Sequence, residues 1–228
     1  MTILTKQDID NHCARLNISK ENLTEFVIPD GVTEIGDAAF EGCSSLTSIT
    51  IPEGVTEIGD AAFFGCTALT SITIPDNVTE IGFQTFDRCS SLTSITIPHS
   101  VKKIGPIAFK ECTALASITI PDSVTTIGFG AFSGCTSLTS ITIPDGITQI
   151  DFGAFDVCSS LRSITIPNNV TEIGFDAFRG CTALTSITIP DSVTHIGEDA
   201  FSECPSLTQV ICNNPYLFTG LNLSLIHI

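Results

Sequence analysis

Cysteines and carboxylates are the residues in this chain with the most chemistry to offer. There are ten cysteines, and eight of them, Cys43, Cys66, Cys89, Cys112, Cys135, Cys158, Cys181 and Cys204, stand 23 residues apart. If the intervening segments stack, the thiols form one column with neighbours about 4.8 Å apart, within Cα range of a disulfide. Side chains in such a column point the same way, however, and phenylalanine and leucine flank each cysteine. Small buried thiols in a reducing compartment are therefore expected. No Cys-x-x-Cys or Cys/His cluster occurs, so neither a zinc site nor any cofactor is expected.

Carboxylates recur with the same step, after Ile-Pro (Asp30, Glu53, Asp76, Asp122, Asp145, Asp191) and after Val-Thr (Glu34, Glu57, Glu80, Glu172). Stacked carboxylates can attract calcium, but the spacing contains no dedicated calcium loop, and a solvated face is preferred. Nine Lys plus Arg against 25 Asp plus Glu leave a formal charge of −16. That balance argues against nucleic acid or an anionic membrane as partner. His12, His99, His195 and His227 lie in different segments, and no nucleophile, base and orienter can be grouped. The glycines recur singly rather than as a phosphate loop, so an enzyme is not expected. One segment carries a basic island, His99, Lys102, Lys103 and Lys110, for which sequence drift is the preferred account.

Two further columns are candidates for binding a protein partner. The first pairs hydroxyls: Ser48 with Thr50, Ser71 with Thr73, Ser94 with Thr96, Ser117 with Thr119, Ser140 with Thr142, Ser163 with Thr165 and Ser186 with Thr188. The second is Phe83, Phe129, Phe152 and Phe175, where other segments carry Asp37, Asp60 or Glu198. Exposed, these rings form an apolar stripe interrupted by Pro106, the usual mark of a partner site. Folding of the rings beneath the turn, as part of the core, is the slightly preferred expectation. Lys102 and Lys103 complete the candidate surface.

All of these columns hang on one 23-residue unit, Leu-x-x-Ile-x-Ile-Pro-x-x-Val-x-x-Ile-Gly-x-x-Ala-Phe-x-x-Cys-x-x, repeated eight times without insertion from Leu23 to Ser206. A strict period of this length specifies a solenoid, because no single unit can bury its apolar face alone. In Leu46-Thr-Ser-Ile-Thr-Ile51, Ile49 and Ile51 alternate with Ser48 and Thr50, the period of a half-buried strand. Pro52 ends it. A second short extended piece spans Val55 to Ile58, and Gly59 is expected to supply a turn. Residues 60–66 are too short for a full α-helix and read as one helical or 3₁₀ turn, ending in a left-handed Gly65. At 43% hydrophobic and 15% charged, the chain is too apolar to be disordered. It has no apolar run of about 18 residues, so membrane insertion is not expected.

Leu46, Ile49, Ile51-Pro52, Val55, Ile58-Gly59, Ala62-Phe63 and Cys66 resemble the BspA-type leucine-rich repeat, from Leu23 to about Cys212. The resemblance implies a right-handed, β-rich solenoid with one parallel sheet and short extended and 3₁₀ or helical turns per rung. It also implies use in adhesion or other protein contacts at a cell surface, and it brings no catalytic motif. Asp151 replaces the repeat glycine, Thr85 the repeat alanine, and Pro106 and Ile107 enter one turn. Asp151 is compatible with a left-handed turn, since Asp tolerates positive φ.

Four segments follow. Residues 1–22 form an N-terminal helical cap, with a Thr5 to Asp8 capping box and Ile9, Cys13 and Leu16 on one face. Residues 23–206 are the eight repeats, 207–212 a partial ninth, and 213–228 a tail whose final residues resemble translated sequencing adaptor, as at a truncated reading frame. The N-terminus lacks the pattern of a secretory signal, which favours the cytoplasm, whereas the resemblance favours the cell surface or secretion. The leading expectation is a non-catalytic protein-interaction or adhesion module. Two alternatives stand beside it: ice or crystal binding through hydroxyl rows spaced about 4.8 Å and 6.7 Å, and a passive segment of a larger protein.

Overall fold

The computed structural model describes residues 2–213 and 217; the remainder of the proposed tail lies outside the described residues. Each repeat is one rung. The Ser-Ile-Thr segments pair in parallel with identical register, Ser71 with Ser94, Ser140 with Ser163, and Ser186 with Gln209 of the partial ninth repeat. Their isoleucines point into the core and their hydroxyl residues outward, as strand alternation requires.

The second extended piece does more than redirect the chain. Glu57–Ile58 with Glu34–Ile35, Glu80–Ile81 with Lys103–Ile104 and Gln149–Ile150 with Glu172–Ile173 pair between rungs in a further parallel ladder, broken into three stretches of three strands. Its first strand, β1 (Ile3–Leu4), comes from the N-terminal segment and pairs with Glu34–Ile35. Helix α1 (Lys6–Leu16) follows, with Thr5 and Asp8 forming the reciprocal capping box. Ile9 and Cys13 are buried, but Leu16 is 56% exposed, because Asn17 turns left-handed and ends the helix before that face closes.

Residues 60–66 form successive turns rather than a continuous helix. The amides of Ala62, Phe64 and Cys66 bond three residues back, to Gly59, Ala61 and Phe63. Those of Ala61, Phe63 and Gly65 reach forward to carbonyls of Phe83, Thr85 and Asp87 on the next rung, so the turns are a third ladder between rungs. Positive φ falls on Ala61 and Gly65, not on Gly59. The same two columns are left-handed in the other rungs even at Ile107 and Val157, where β-branching makes that conformation costly. The expectation for Gly59 is thus corrected: its column serves close approach, since a Cβ there would stand 2.6 Å from the Asp37 amide nitrogen. Asp151 is not left-handed either, and its carboxylate accepts the Phe152 amide hydrogen at 2.7 Å.

Inside, Phe40 to Phe201 form a stack with neighbouring centroids 5.3–5.6 Å apart and planes within 11°. Beside it run the thiols. The eight column cysteines are in no disulfide, and from Cys66 onward each S–H donates to the carbonyl of a phenylalanine in the preceding rung, at 3.1–3.3 Å. Burial pushes the Cys89 and Cys135 thiols up to about 12. We therefore predict that the seven fully buried thiols, from Cys43 to Cys181, resist an aromatic disulfide reagent at pH 8 and react only after denaturant is added. Native labelling of any of the seven would contradict that packing.

Candidate interaction surface

The position after the repeat glycine builds a continuous row along the rod: Asp37, Asp60, Phe83, Pro106, Phe129, Phe152, Phe175, Glu198. Each carbonyl from Asp60 onward accepts the amide hydrogen of the preceding rung, for example Ile107 to Phe129, Gly130 to Phe152 and Gly153 to Phe175 at 2.8–2.9 Å. Neighbours in the row are thereby held one rung apart. The four rings are 38–52% exposed, whereas the phenylalanines of the core stack are at most 6% exposed. The expectation that Phe83, Phe129, Phe152 and Phe175 fold beneath the turn is overturned. Each ring is followed by a left-handed residue, Gln84, Gly130, Gly153 or Asp176, beyond which Thr85, Ala131, Ala154 or Ala177 and the core phenylalanine are buried. None of the four rings contacts another aromatic ring among the described residues.

Charge frames the row. Asp37, Glu57, Asp60 and Glu80 line one shallow depression of about 330 Å³ at its beginning, so the acids of the second ladder adjoin it there. The Asp60 carboxylate accepts the Phe83 amide hydrogen at 2.8 Å. Lys102 and Lys103 are exposed on the same ladder, but Lys103 is already held by Glu80 at 2.6 Å. Arg179, below Phe175, pairs with Asp156 at 3.1 Å.

The hydroxyl rows occupy the other ladder, away from the rings. Ser48, Ser71, Ser94, Ser117, Ser140 and Ser163 are exposed, and Ser186 is half-buried. Thr50, Thr73, Thr96, Thr119, Thr142, Thr165 and Thr188 are all exposed beside them. The threonine row is not evenly bonded, however. Thr73 pairs with Thr96 and Thr142 with Thr165, whereas the strand between them covers only Ser117–Ile118 and leaves Thr119 just outside the ladder. Thr119 is nonetheless exposed in the same column as its neighbours. The two ends of the row change chemistry: Val27 is 87% and Ile211 48% exposed at the equivalent positions. Sequence reasoning passed over both, although counting 23 residues back from Thr50 and forward from Thr188 finds them. Val27 also borders a groove of about 1100 Å³ beneath α1, with Ile3, His12, Arg15 and Leu16 on its other wall.

One buried irregularity sits beneath the row of rings. Thr85, in the alanine column, has no hydrogen-bond partner for its hydroxyl, and one Asp87 carboxylate oxygen is likewise unpartnered and buried. Gln84 donates to the other at 2.9 Å. Burial raises the Asp87 carboxyl, so its cost to stability sets in as pH rises past the ordinary carboxylate value and is complete above the raised one. We predict that Thr85→Ala, which restores the repeat residue, stabilises the protein by about 1 kcal/mol, a lost desolvation cost of about 1–3 partly offset by one methyl. Urea denaturation measures it, and a destabilised variant would mean that the hydroxyl has a partner.

Among the described residues no group of His, Cys, Asp and Glu could hold a metal ion, and no helix is long and apolar enough to cross a membrane. Six copies of the BspA type leucine rich repeat region match residues 17–136 and 102–221. No curated protein matches. A leucine-rich repeat protein from Bacteroides ovatus is 36% identical over 84% of this chain, with a TM-score of 0.66. This chain spans only 57% of that protein's length. The leucine-rich repeat protein of T. pallidum is also 36% identical, over 73% of this chain and 79% of its own, with a TM-score of 0.67. The period, the paired parallel ladders and these likenesses agree: the chain belongs to the BspA-type leucine-rich-repeat family.

Proposed function

We propose that this chain is a non-catalytic protein-interaction module whose contact surface is the row from Asp60 to Glu198. One observation carries the reading. Four phenylalanines stand exposed in a hydrogen-bonded row where the first two rungs carry aspartate, and nothing in the folding of a rung requires a ring there. Exposed apolar stripes with charged rims are typical of partner sites, and aromatic side chains dominate the energetics of such contacts. The family's repeat architecture suits the role, since a solenoid offers an extended face assembled from one small unit. Export to a cell surface, where adhesion would operate, belongs to the same proposal.

The test compares two variants in cross-linking pull-downs from extracts of the source cells. Phe129→Ser/Phe152→Ser/Phe175→Ser is expected to reduce recovery of the partner at least tenfold. Alanine in place of Ser140, Thr142, Ser163 and Thr165 is expected to leave it unchanged. The reverse pattern would move the contact to the hydroxyl face, and loss of neither would remove both surfaces from the proposal.

A further inference from the structure

Resting on that reading, we infer that the row receives a basic amphipathic α-helix lying along the rod axis. The first argument is spacing. Phe83, Pro106, Phe129, Phe152 and Phe175 occupy successive rungs, and the core rings of those rungs repeat at 5.4–5.6 Å. An α-helix advances about 5.4 Å per turn, so apolar residues at i, i+3 or i+4, and i+7 meet successive rungs over the short length of the row. An extended strand places same-face residues about 6.7 Å apart and is a full rung out of step after about four. Rungs bonded through their backbones lie about 4.8 Å apart and their core rings repeat at 5.4–5.6 Å, so a helical turn lies close to both spacings and a strand step of about 6.7 Å to neither.

The second argument is shape. No exposed ring of the row stacks on another ring among the described residues, and each of the four keeps 38–52% of its surface open to a ligand. The third is charge. The row begins at Asp37 and Asp60 and ends at Glu198, with Asp151 beside Phe152 and Asp176 beside Phe175. Lys103 is paired with Glu80 and Arg179 with Asp156 and Asp176, which leaves Lys102 and Lys110 as the basic residues around Pro106 on a chain that carries −16 overall. A ligand with an apolar stripe and lysine or arginine on its flanks complements that frame.

The full chain is titrated, by fluorescence anisotropy at physiological salt, into two labelled 18-residue peptides of identical leucine and lysine content. One places leucine at helical period and the other alternates the two residues. The helical peptide is expected to bind at least tenfold more tightly. It is also expected to lose at least tenfold in affinity for the Phe129→Ser/Phe152→Ser/Phe175→Ser variant and less than twofold for the hydroxyl-face variant. Circular dichroism checks that the variants fold, and Phe152→Ser alone takes the place of the triple variant if that one does not. Equal binding of the two peptides, no binding of either, or binding that survives loss of the rings would each overturn the helix. If partner recovery in the pull-down still depends on the rings in any of those cases, the interaction reading stands and the helical ligand alone falls.

Discussion

Gly105→Ala is expected to destabilise the rod by about 2–4 kcal/mol, although it adds a single methyl. The Cβ of alanine has no rotamer through which to escape. At Gly105 it would stand 2.7 Å from the Gly82 carbonyl carbon, 2.8 Å from its oxygen and 3.0 Å from the Ile81 oxygen, all backbone atoms. The rungs must part to admit it, and the short bond from the Gly105 amide to Ile81 (2.7 Å) lengthens or breaks. Overpacking of about 1–3 kcal/mol and a lost hydrogen bond of about 1 kcal/mol give the total. Gly42→Ala is the control: its φ is +72° and its Cβ meets nothing within 4 Å, so only the left-handed backbone cost of about 1 kcal/mol remains. Urea denaturation of both variants distinguishes the two glycine classes, and equal costs would show that neighbouring rungs do not approach as closely as described.

The same glycine shows where sequence reading stops. Period two placed Ile49 and Ile51 inside and Ser48 and Thr50 outside, because strand alternation is written directly into residue type. The 23-residue step gave the stack of Phe40 to Phe201 and the thiol column for the same reason. The turn has no such alphabet. Its left-handed positions carry glycine in some rungs but Ala61, Gln84, Ile107, Arg88, Glu111 and Val157 in others, residues that signal no positive φ, because hydrogen bonds to the next rung hold the conformation against their preference. Gly65 signals its left-handed φ correctly, whereas Gly59, the other glycine of the rung, answers to a neighbouring rung that is distant in sequence. Phe83 and its row were misjudged by the same route: hydrophobicity argues for burial, while exposure depends on which way a cross-bonded turn faces. Leu16 likewise had the spacing of a buried helical face, and Asn17 ended the helix first.

The hidden column and the exposed row are nonetheless one mechanical unit, and a substitution in the first is expected to disable the second. Phe132→Ala removes a fully buried ring with stacked neighbours at 5.4 and 5.6 Å, at an expected cost of about 3–5 kcal/mol. Phe201 is 6% exposed and, among the described residues, stacks only on Phe178, so its truncation to alanine is expected to cost roughly half as much. In a nearest-neighbour array, stability is a sum of rung terms and interface terms, so a central loss weakens two interfaces and a terminal loss one. Phe132→Ala is therefore expected to broaden the denaturation transition and to lower hydrogen-exchange protection first at the amides of Ile107 and Gly130, which bond across the neighbouring rungs to Phe129 and Phe152. Those bonds hold the exposed rings at rung spacing, so affinity for a helical ligand is expected to fall without any change at the surface itself. Unchanged protection at Ile107 and Gly130 in a destabilised Phe132→Ala protein would uncouple the core stack from the row.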